Sequence, residues 1–128
     1  MCLYSWKSRR KNEKDIECYK VLKYDKENKL SSPYKDWFKW EIGVEYKADN
    51  AKLIYDGEIH EGYFHTYDTF HAAEKSVFSM KGYFKKIVIC KCIIPKHTYF
   101  YHGIHSDGQE GYASKSLKIV EILSTTNE

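Results

Sequence analysis

The sequence has no long apolar run. Its longest nearly uncharged stretch, Ile87 to Pro95, is interrupted by Lys91 and is much shorter than the roughly 20 residues that a membrane-spanning helix needs. The N-terminus also lacks the apolar stretch of about 7–15 residues that a secretory signal contains, because the chain becomes charged at Lys7. We therefore expect a cytoplasmic protein that does not cross a membrane.

The usual signatures of metal and catalytic sites are absent as well. The four cysteines include no C-x-x-C pair, and no H-x-x-x-H spacing accompanies them, so the sequence predicts no metal ion. Thiols of a cytoplasmic protein are normally reduced. Cys90 and Cys92 should share one face of a strand and pack there. No P-loop, dinucleotide-binding, nucleophile-elbow or H-E-x-x-H motif occurs, which argues against the corresponding enzyme classes and predicts no cofactor.

Length and charge indicate one domain with a basic N-terminal segment. The chain has 128 residues, 42% of them hydrophobic and 30% charged, which suits a single core and excludes disorder. Residues 1–14 carry five cations against Glu13, a local charge of +4 that leaves −1 for the remainder of a chain of net charge +3. We predict a flexible basic segment at 1–15, one domain at 16–124 and a polar tail at 125–128.

The basic segment has two interpretations. Five cations within residues 7–14 can contact the phosphate backbone of a nucleic acid. We favour a solvated, frayed terminus that contributes little to the fold.

Hydrophobic periodicity predicts an α+β domain. Alternating segments indicate a mostly antiparallel, twisted sheet of five to seven strands, beginning with IECYKVLKY and including a short strand around Leu53 to Tyr55. Residues of about 69–80 have the spacing of one helix, capped by Asp68 or Thr69 and ended by Gly82.

The run from Ile87 to Ile94 is the clearest strand. It is rich in β-branched residues and apolar in both alternation classes, which is typical of a central strand buried on both faces. We expect it to have a neighbour on each side and to pack under the helix. Lys91 interrupts one face, so its ammonium group must reach the edge of the sheet or pair with a carboxylate.

A series of short motifs also occurs in a recognisable order. They are CYKVL, then SPY with W-x-x-G at Trp40 to Gly43, then EGYFHTY leading into a helix with Ala72 and Ala73, then CIIP and YAS-x-SLKIVEIL. Over residues 16–123 this order resembles a group of small uncharacterised proteins of Bacteroides-type bacteria and their phages or mobile elements. The resemblance implies a compact α+β domain and assigns no activity.

The high tyrosine content is the most informative feature of the composition. Twelve tyrosines exceed what one small core uses, and tyrosine combines a large contact area with a polar tip. We predict a non-catalytic binding module with an aromatic surface formed by Tyr63, His65, Tyr67 and Tyr101. Its partner is an unidentified protein or small ligand, and an oligomer is compatible with the sequence. The alternative is that sheets simply favour tyrosine.

Histidine spacing is less diagnostic. His65 lies between aromatic residues at the end of a strand, where it serves either as a neutral core imidazole, which we favour, or as a general base or ligand-binding group. His102 and His105 flank Gly103. Two histidines so close can join a metal site with a distant carboxylate, although loop histidines are usually solvated.

An ADP-ribosyltransferase-like enzyme with NAD as cofactor is the alternative function. That family's order is a strand-borne His or Arg, an aromatic or S-T-S element and a late Glu. His65, Tyr112 with Ser114, and Glu121 follow a compatible order. The H-G-T and Y-R-G fingerprints are missing, and the strand with His65 lies in mid-chain, so this interpretation rests on analogy.

Overall fold

The computed structural model describes residues 3–6, 10–32, 35–48, 63–80 and 86–127. These form eleven strands and one helix, in the order β1 (Leu3–Trp6), β2 (Arg10–Lys11), β3 (Ile16–Tyr24), β4 (Leu30–Ser32), β5 (Lys35–Trp40), β6 (Glu45–Lys47), β7 (Phe64–Tyr67), α1 (Phe70–Met80), β8 (Lys86–Ile94), β9 (Tyr99–His105), β10 (Glu110–Ser114) and β11 (Ser116–Asn127). The predicted strand around Leu53 to Tyr55 and the predicted helix end at Gly82 lie outside the described residues.

All the strands belong to one antiparallel sheet. Its order is β1-β9-β10-β7-β3-β8-β11-β6, with β2 beside β9, β4 beside β3 and β5 beside β4. The α+β class with a mostly antiparallel sheet is confirmed. The predicted count of five to seven strands is too low, because strands of two to four residues such as β2 and β4 contain too few positions to show alternation.

Strand β8 is central, as predicted. It pairs with β3 on one side and β11 on the other, and every apolar residue from Ile87 to Ile94 except Ile93 is buried. Lys91 forms an ion pair with Glu17 on β3, with 3.0 Å between Nζ and Oε1. This hydrogen-bonded carboxylate raises the pKa of Lys91. The ion pair with Glu17 therefore accommodates Lys91 on the otherwise apolar face of β8.

The two faces of the sheet bury separate clusters. Helix α1 begins with a cap in which the Thr69 hydroxyl accepts a hydrogen bond from the Ala72 N–H at 3.1 Å. It covers one face, where Ala72, Ala73 and Val77 pack with Val21, Tyr67, Ile87 and Ile89. On the other face Leu30 and Trp40 pack with Leu22, Val88, Leu117, Ile119 and the three buried cysteines, Cys18, Cys90 and Cys92.

The sheet extends beyond both predicted limits of the domain. At the start of the chain, β1 and β2 pair with β9 although residues 1–15 were expected to be flexible. Arg10 and Lys11 keep their charged side chains exposed while their backbone groups pair with β9. A count of charges along the sequence does not detect this backbone pairing. At the other end β11 continues to Asn127, where a polar tail was expected, because Thr125 and Thr126 pair with Val88 and Ile87.

Asn12 ties the N-terminal segment to the turn between β8 and β9. Its side-chain nitrogen donates to the carbonyl oxygens of Ile94 and Pro95 at 3.2 and 3.0 Å. Its side-chain oxygen accepts from the Thr98 N–H at 2.7 Å. The side chain is nearly fully buried, so each of these hydrogen bonds replaces contact with water.

The central position of β8 makes its apolar side chains sensitive to truncation. Ile89→Ala should lower the free energy of unfolding by about 2–5 kcal/mol, because the site is filled from α1 and β3. Leu123→Ala, on an exposed residue of β11, should change it by less than about 0.5 kcal/mol. Urea unfolding measures both. A loss under about 1 kcal/mol for Ile89→Ala would contradict a central β8.

Asn12 generates a second prediction. Asn12→Ala should destabilise the protein by about 1–3 kcal/mol, because buried carbonyl oxygens and an N–H lose their partner. Glu13→Ala, on the exposed neighbouring residue, is the matched control and should stay within about 0.5 kcal/mol of the parent. Equal stability of the two variants would mean that the segment is not docked.

Candidate functional site

The candidate site lies on three adjacent strands, β9, β10 and β7, with β10 in the middle. Tyr112 on β10 is directly opposite His102 on β9 and Thr66 on β7. Directly paired residues share a face of the sheet, so these three side chains lie on one side. Asp68, just after β7, continues the pairing, because its N–H donates to the Glu110 carbonyl oxygen at 3.2 Å.

Four side chains gather at this end of the sheet, and we call them the acidic–aromatic patch: Asp68, His102, Glu110 and Tyr112. The His102 Nε2 lies 3.6 Å from the Asp68 Oδ2 and 3.9 Å from the Glu110 Oε2. The ring of Tyr112 stacks on the imidazole, with 4.8 Å between centroids and 24° between planes. One ligand atom from each of Asp68, His102 and Glu110 lies within 4.8 Å of the other two.

The patch is open to solvent at one side and closed at the other. The side chain of Glu110 is 60% exposed, that of His102 38% and that of Asp68 19%. The His102 Nε2 itself is buried and has no hydrogen-bond partner among the described residues. Burial raises the pKa of Tyr112, and the negative charges of Asp68 and Glu110 add to this shift. The phenol therefore stays protonated beside the carboxylates.

Among the described residues, neither carboxylate of the patch is neutralised by a lysine or arginine. In the part of the chain that the structure describes, Asp68 and Glu110 form ion pairs only with His102, which carries charge only when protonated. Elsewhere the carboxylates of Asp25 and Glu17 pair with Lys39 and Lys91. The patch is thus a local concentration of negative charge around one imidazole.

The predicted aromatic surface lies on the opposite face of the same strands. The rings of Tyr63 and Tyr101 contact each other at 5.7 Å, and His105 contacts both His65 at 5.8 Å and Tyr67 at 5.2 Å. The four residues therefore share one face but form two groups: Tyr63 with Tyr101, and His65 with Tyr67 through His105. Tyr63, Tyr67 and Tyr101 are at most 9% exposed, so this cluster offers little ring area to a partner.

His105 is buried where Gly111 leaves room for it. A Cβ atom on Gly111 would overlap the His105 ring and the Thr66 carbonyl oxygen. The His105 Nε2 donates a hydrogen bond of 2.6 Å to that carbonyl, which fixes the proton on Nε2 because a carbonyl only accepts. Burial lowers the pKa of His105, against the opposing effects of Thr66 and Asp107. In sequence, His102 and His105 are candidate ligands of one metal site. In the structure they lie on different sides of the sheet, because His102 faces the patch and His105 faces the interior.

The residues of the alternative enzyme site do not converge. His65 lies on the face that carries His105, whereas Tyr112 packs against the cluster on the other face. Glu121 is on β11, three strand spacings from β7 in the sheet order, or about 14 Å. Ser114 is buried and donates its hydroxyl hydrogen to the Ser116 carbonyl oxygen. Among the described residues, these three side chains therefore line no common cleft for NAD.

The described cysteines lie in the buried core. Cys90 and Cys92 share a buried face, as predicted, and Cys18 lies opposite Cys92 in the register. Burial raises the pKa of Cys90 to about 12 and that of Cys92 well above its usual value, so both thiols stay protonated.

Within the described ranges, no helix combines the length and the apolar character needed to cross a membrane.

Comparison with known proteins adds no relative. No family model, curated protein or solved structure matches the chain. The resemblance to small proteins of Bacteroides-type bacteria and their mobile elements stays a prediction, and contact of residues 7–14 with nucleic acid stays the interpretation that the sequence analysis did not favour.

His105 predicts a loss of stability in acid. Since its folded-state pKa is lowered, the unfolded chain takes up a proton more readily as the pH falls below the ordinary histidine value of 6.5. The stability that neutral His105 provides is complete near pH 8 and is lost progressively below 6.5. Urea midpoints between pH 8 and 5 should fall for the parent, and less steeply for His105→Gln. His71→Gln, on an exposed helix position, should follow the parent. A His105→Gln curve as steep as the parent's would contradict this assignment.

Proposed function

We propose that the protein is a small, non-catalytic binding domain whose positively charged ligand binds at the acidic–aromatic patch. The observation that carries this proposal is the pair of carboxylates, Asp68 and Glu110, held beside one imidazole without a lysine or arginine partner in the described residues. The binding module expected from the tyrosine content is retained. Its contact residues are assigned to Asp68, His102, Glu110 and Tyr112, at the accessible end of β10.

Electrostatics favours a cation at this position. Two unit negative charges about 4.8 Å apart repel each other by about 1–3 kcal/mol at effective dielectric constants between those of water and of a protein surface. A cation bound between them removes this repulsion and adds two attractions. Tyr112 provides a flat wall beside the site through its stacking on His102.

The fold supports a fixed site at this position. Glu110 and Tyr112 lie on β10, which has a paired strand on both sides, and the Asp68 backbone is hydrogen-bonded to Glu110. Since His102 on β9 is paired with Tyr112, all four side chains start from backbone positions that the sheet ladder holds in place. Sites built on strands are held more accurately than sites on loops.

A titration with an organic cation tests the proposal. Spermidine added to the ¹⁵N-labelled protein should shift the amide signals of residues 66–68, 102 and 110–112 saturably. Asp68→Asn combined with Glu110→Gln should abolish these shifts, because it removes both charges with little change of shape. Glu13→Gln combined with Glu27→Gln removes two exposed carboxylates elsewhere and is the matched control. Shifts that persist in the patch variant, or that spread over all acidic residues, would contradict the proposal.

A further inference from the structure

We infer that the acidic–aromatic patch is a binding site for a divalent transition-metal ion of the Zn²⁺ class, with Asp68, His102 and Glu110 as its protein ligands. This inference rests on the proposed function, because it names the cation that the patch takes. It requires inner-sphere bonds to three defined atoms, which an organic cation does not form.

The spacing of the three groups is that of metal ligands rather than of hydrogen-bond partners. Separations of 3.6 and 3.9 Å between the His102 Nε2 and the two carboxylates exceed the 2.7–3.2 Å of an N–H···O hydrogen bond. Ligands bound about 2.0–2.2 Å from a tetrahedral ion lie about 3.4 Å from one another. Closing these two separations by a few tenths of an ångström, and the gap of up to 4.8 Å between the two carboxylates by about 1.4 Å, brings all three groups to coordinating distance from one ion.

The environment of the His102 Nε2 atom also favours an ion at this position. The Nε2 atom has no hydrogen-bond partner among the residues described, although it is shielded from solvent and points at the carboxylates. A buried polar atom without a partner is costly, and native structures usually satisfy it with a protein group, water or an ion. A metal ion accepts this lone pair and balances both carboxylates at once.

The types of ligand select the class of metal. Imidazole nitrogen suits zinc and its first-row neighbours, whereas Ca²⁺ and Mg²⁺ prefer shells made of oxygen alone. Two carboxylates with one imidazole give a neutral complex with a divalent ion. Three protein ligands leave at least one coordination position for water, as in open zinc sites.

The surroundings of the ligands suit an ordered but accessible site. Stacking on Tyr112 fixes the plane of the His102 imidazole. Asp68 is the most buried of the three ligand side chains and Glu110 the most exposed, so Glu110 is free to swing toward an arriving ion. The buried thiols of Cys18, Cys90 and Cys92 are in the core beyond β7 and do not compete at this surface.

Zinc titration of the full-length chain tests the inference. The untagged, metal-free protein should bind one Zn²⁺ in a competition assay with a colorimetric chelator, and Co²⁺ should give the visible d–d absorption of a low-symmetry N/O site. His102→Ala, Asp68→Asn and Glu110→Gln should each weaken binding, the first by more than about 100-fold, since loss of a ligand costs more than loss of a residue that only orients one. His71→Ala, which removes an exposed histidine on α1, is the matched control and should bind as the parent does.

Each outcome supports or overturns the assignment. The two isosteric carboxylate variants should keep the parent's circular dichroism and melting temperature to within a few degrees, so that weakened binding reports loss of a ligand. Zinc affinity that is unchanged in all three ligand variants, or that is lost in His71→Ala, overturns the site. Saturable spermidine shifts at the patch without zinc binding would leave the proposed function standing and overturn only the metal. Failure of both probes overturns both.

Discussion

The burial of β8 on both faces is the constraint on which the other elements depend. A strand that is apolar in both alternation classes has to be covered twice, and two different structures cover it. Helix α1 lies over Ile87 and Ile89, while β4 and β5 bring Leu30 and Trp40 toward Val88 and Cys90. Because β8 also needs hydrogen-bond partners at both edges, β3 and β11 are fixed beside it, and the remaining strands are added outward from these two.

The same constraint separates structural from functional groups. Within β8 the polar interruption at Lys91 has a partner in Glu17. At the far end of β10, two carboxylates and an imidazole nitrogen face each other without such matching. A cation between Asp68 and Glu110 therefore stabilises that end, whereas β8 needs none, since apolar contacts, strand pairing and one ion pair already stabilise it.

Local sequence patterns predicted the elements that local chemistry determines. The continuous β-branched, apolar run of β8 and the cap at Thr69 depend on neighbouring residues, and both were recognisable. The pairing of the N-terminal segment with β9 was not predicted, because β9 and the Asn12 partners Ile94, Pro95 and Thr98 are more than 80 residues away along the chain.

Only part of the candidate site could be predicted from the sequence, because it too is formed by residues that are distant along the chain. His102 was considered as a metal ligand with a distant carboxylate, but the carboxylate was not named. The hairpin turn at Asp107 and Gly108 could have indicated that Glu110 lies near His102 on the neighbouring strand. Nothing in the sequence indicates that β7, and with it Asp68, pairs with β10. Gly111 also had a different role from a turn marker, since it leaves room for His105.

The pairing of β3 with β8 also affects how the chain folds during synthesis. Val21 and Ile89 are register partners although 68 residues separate them along the chain. At about 5–20 residues per second, a ribosome takes about 3–14 s to make the intervening segment. Throughout this interval β3 has no β8 to pair with. Its unpaired backbone edge and its apolar residues are then accessible to another nascent chain. Lys20 and Lys23, placed within β3, act as charged gatekeepers that oppose such pairing until β8 emerges.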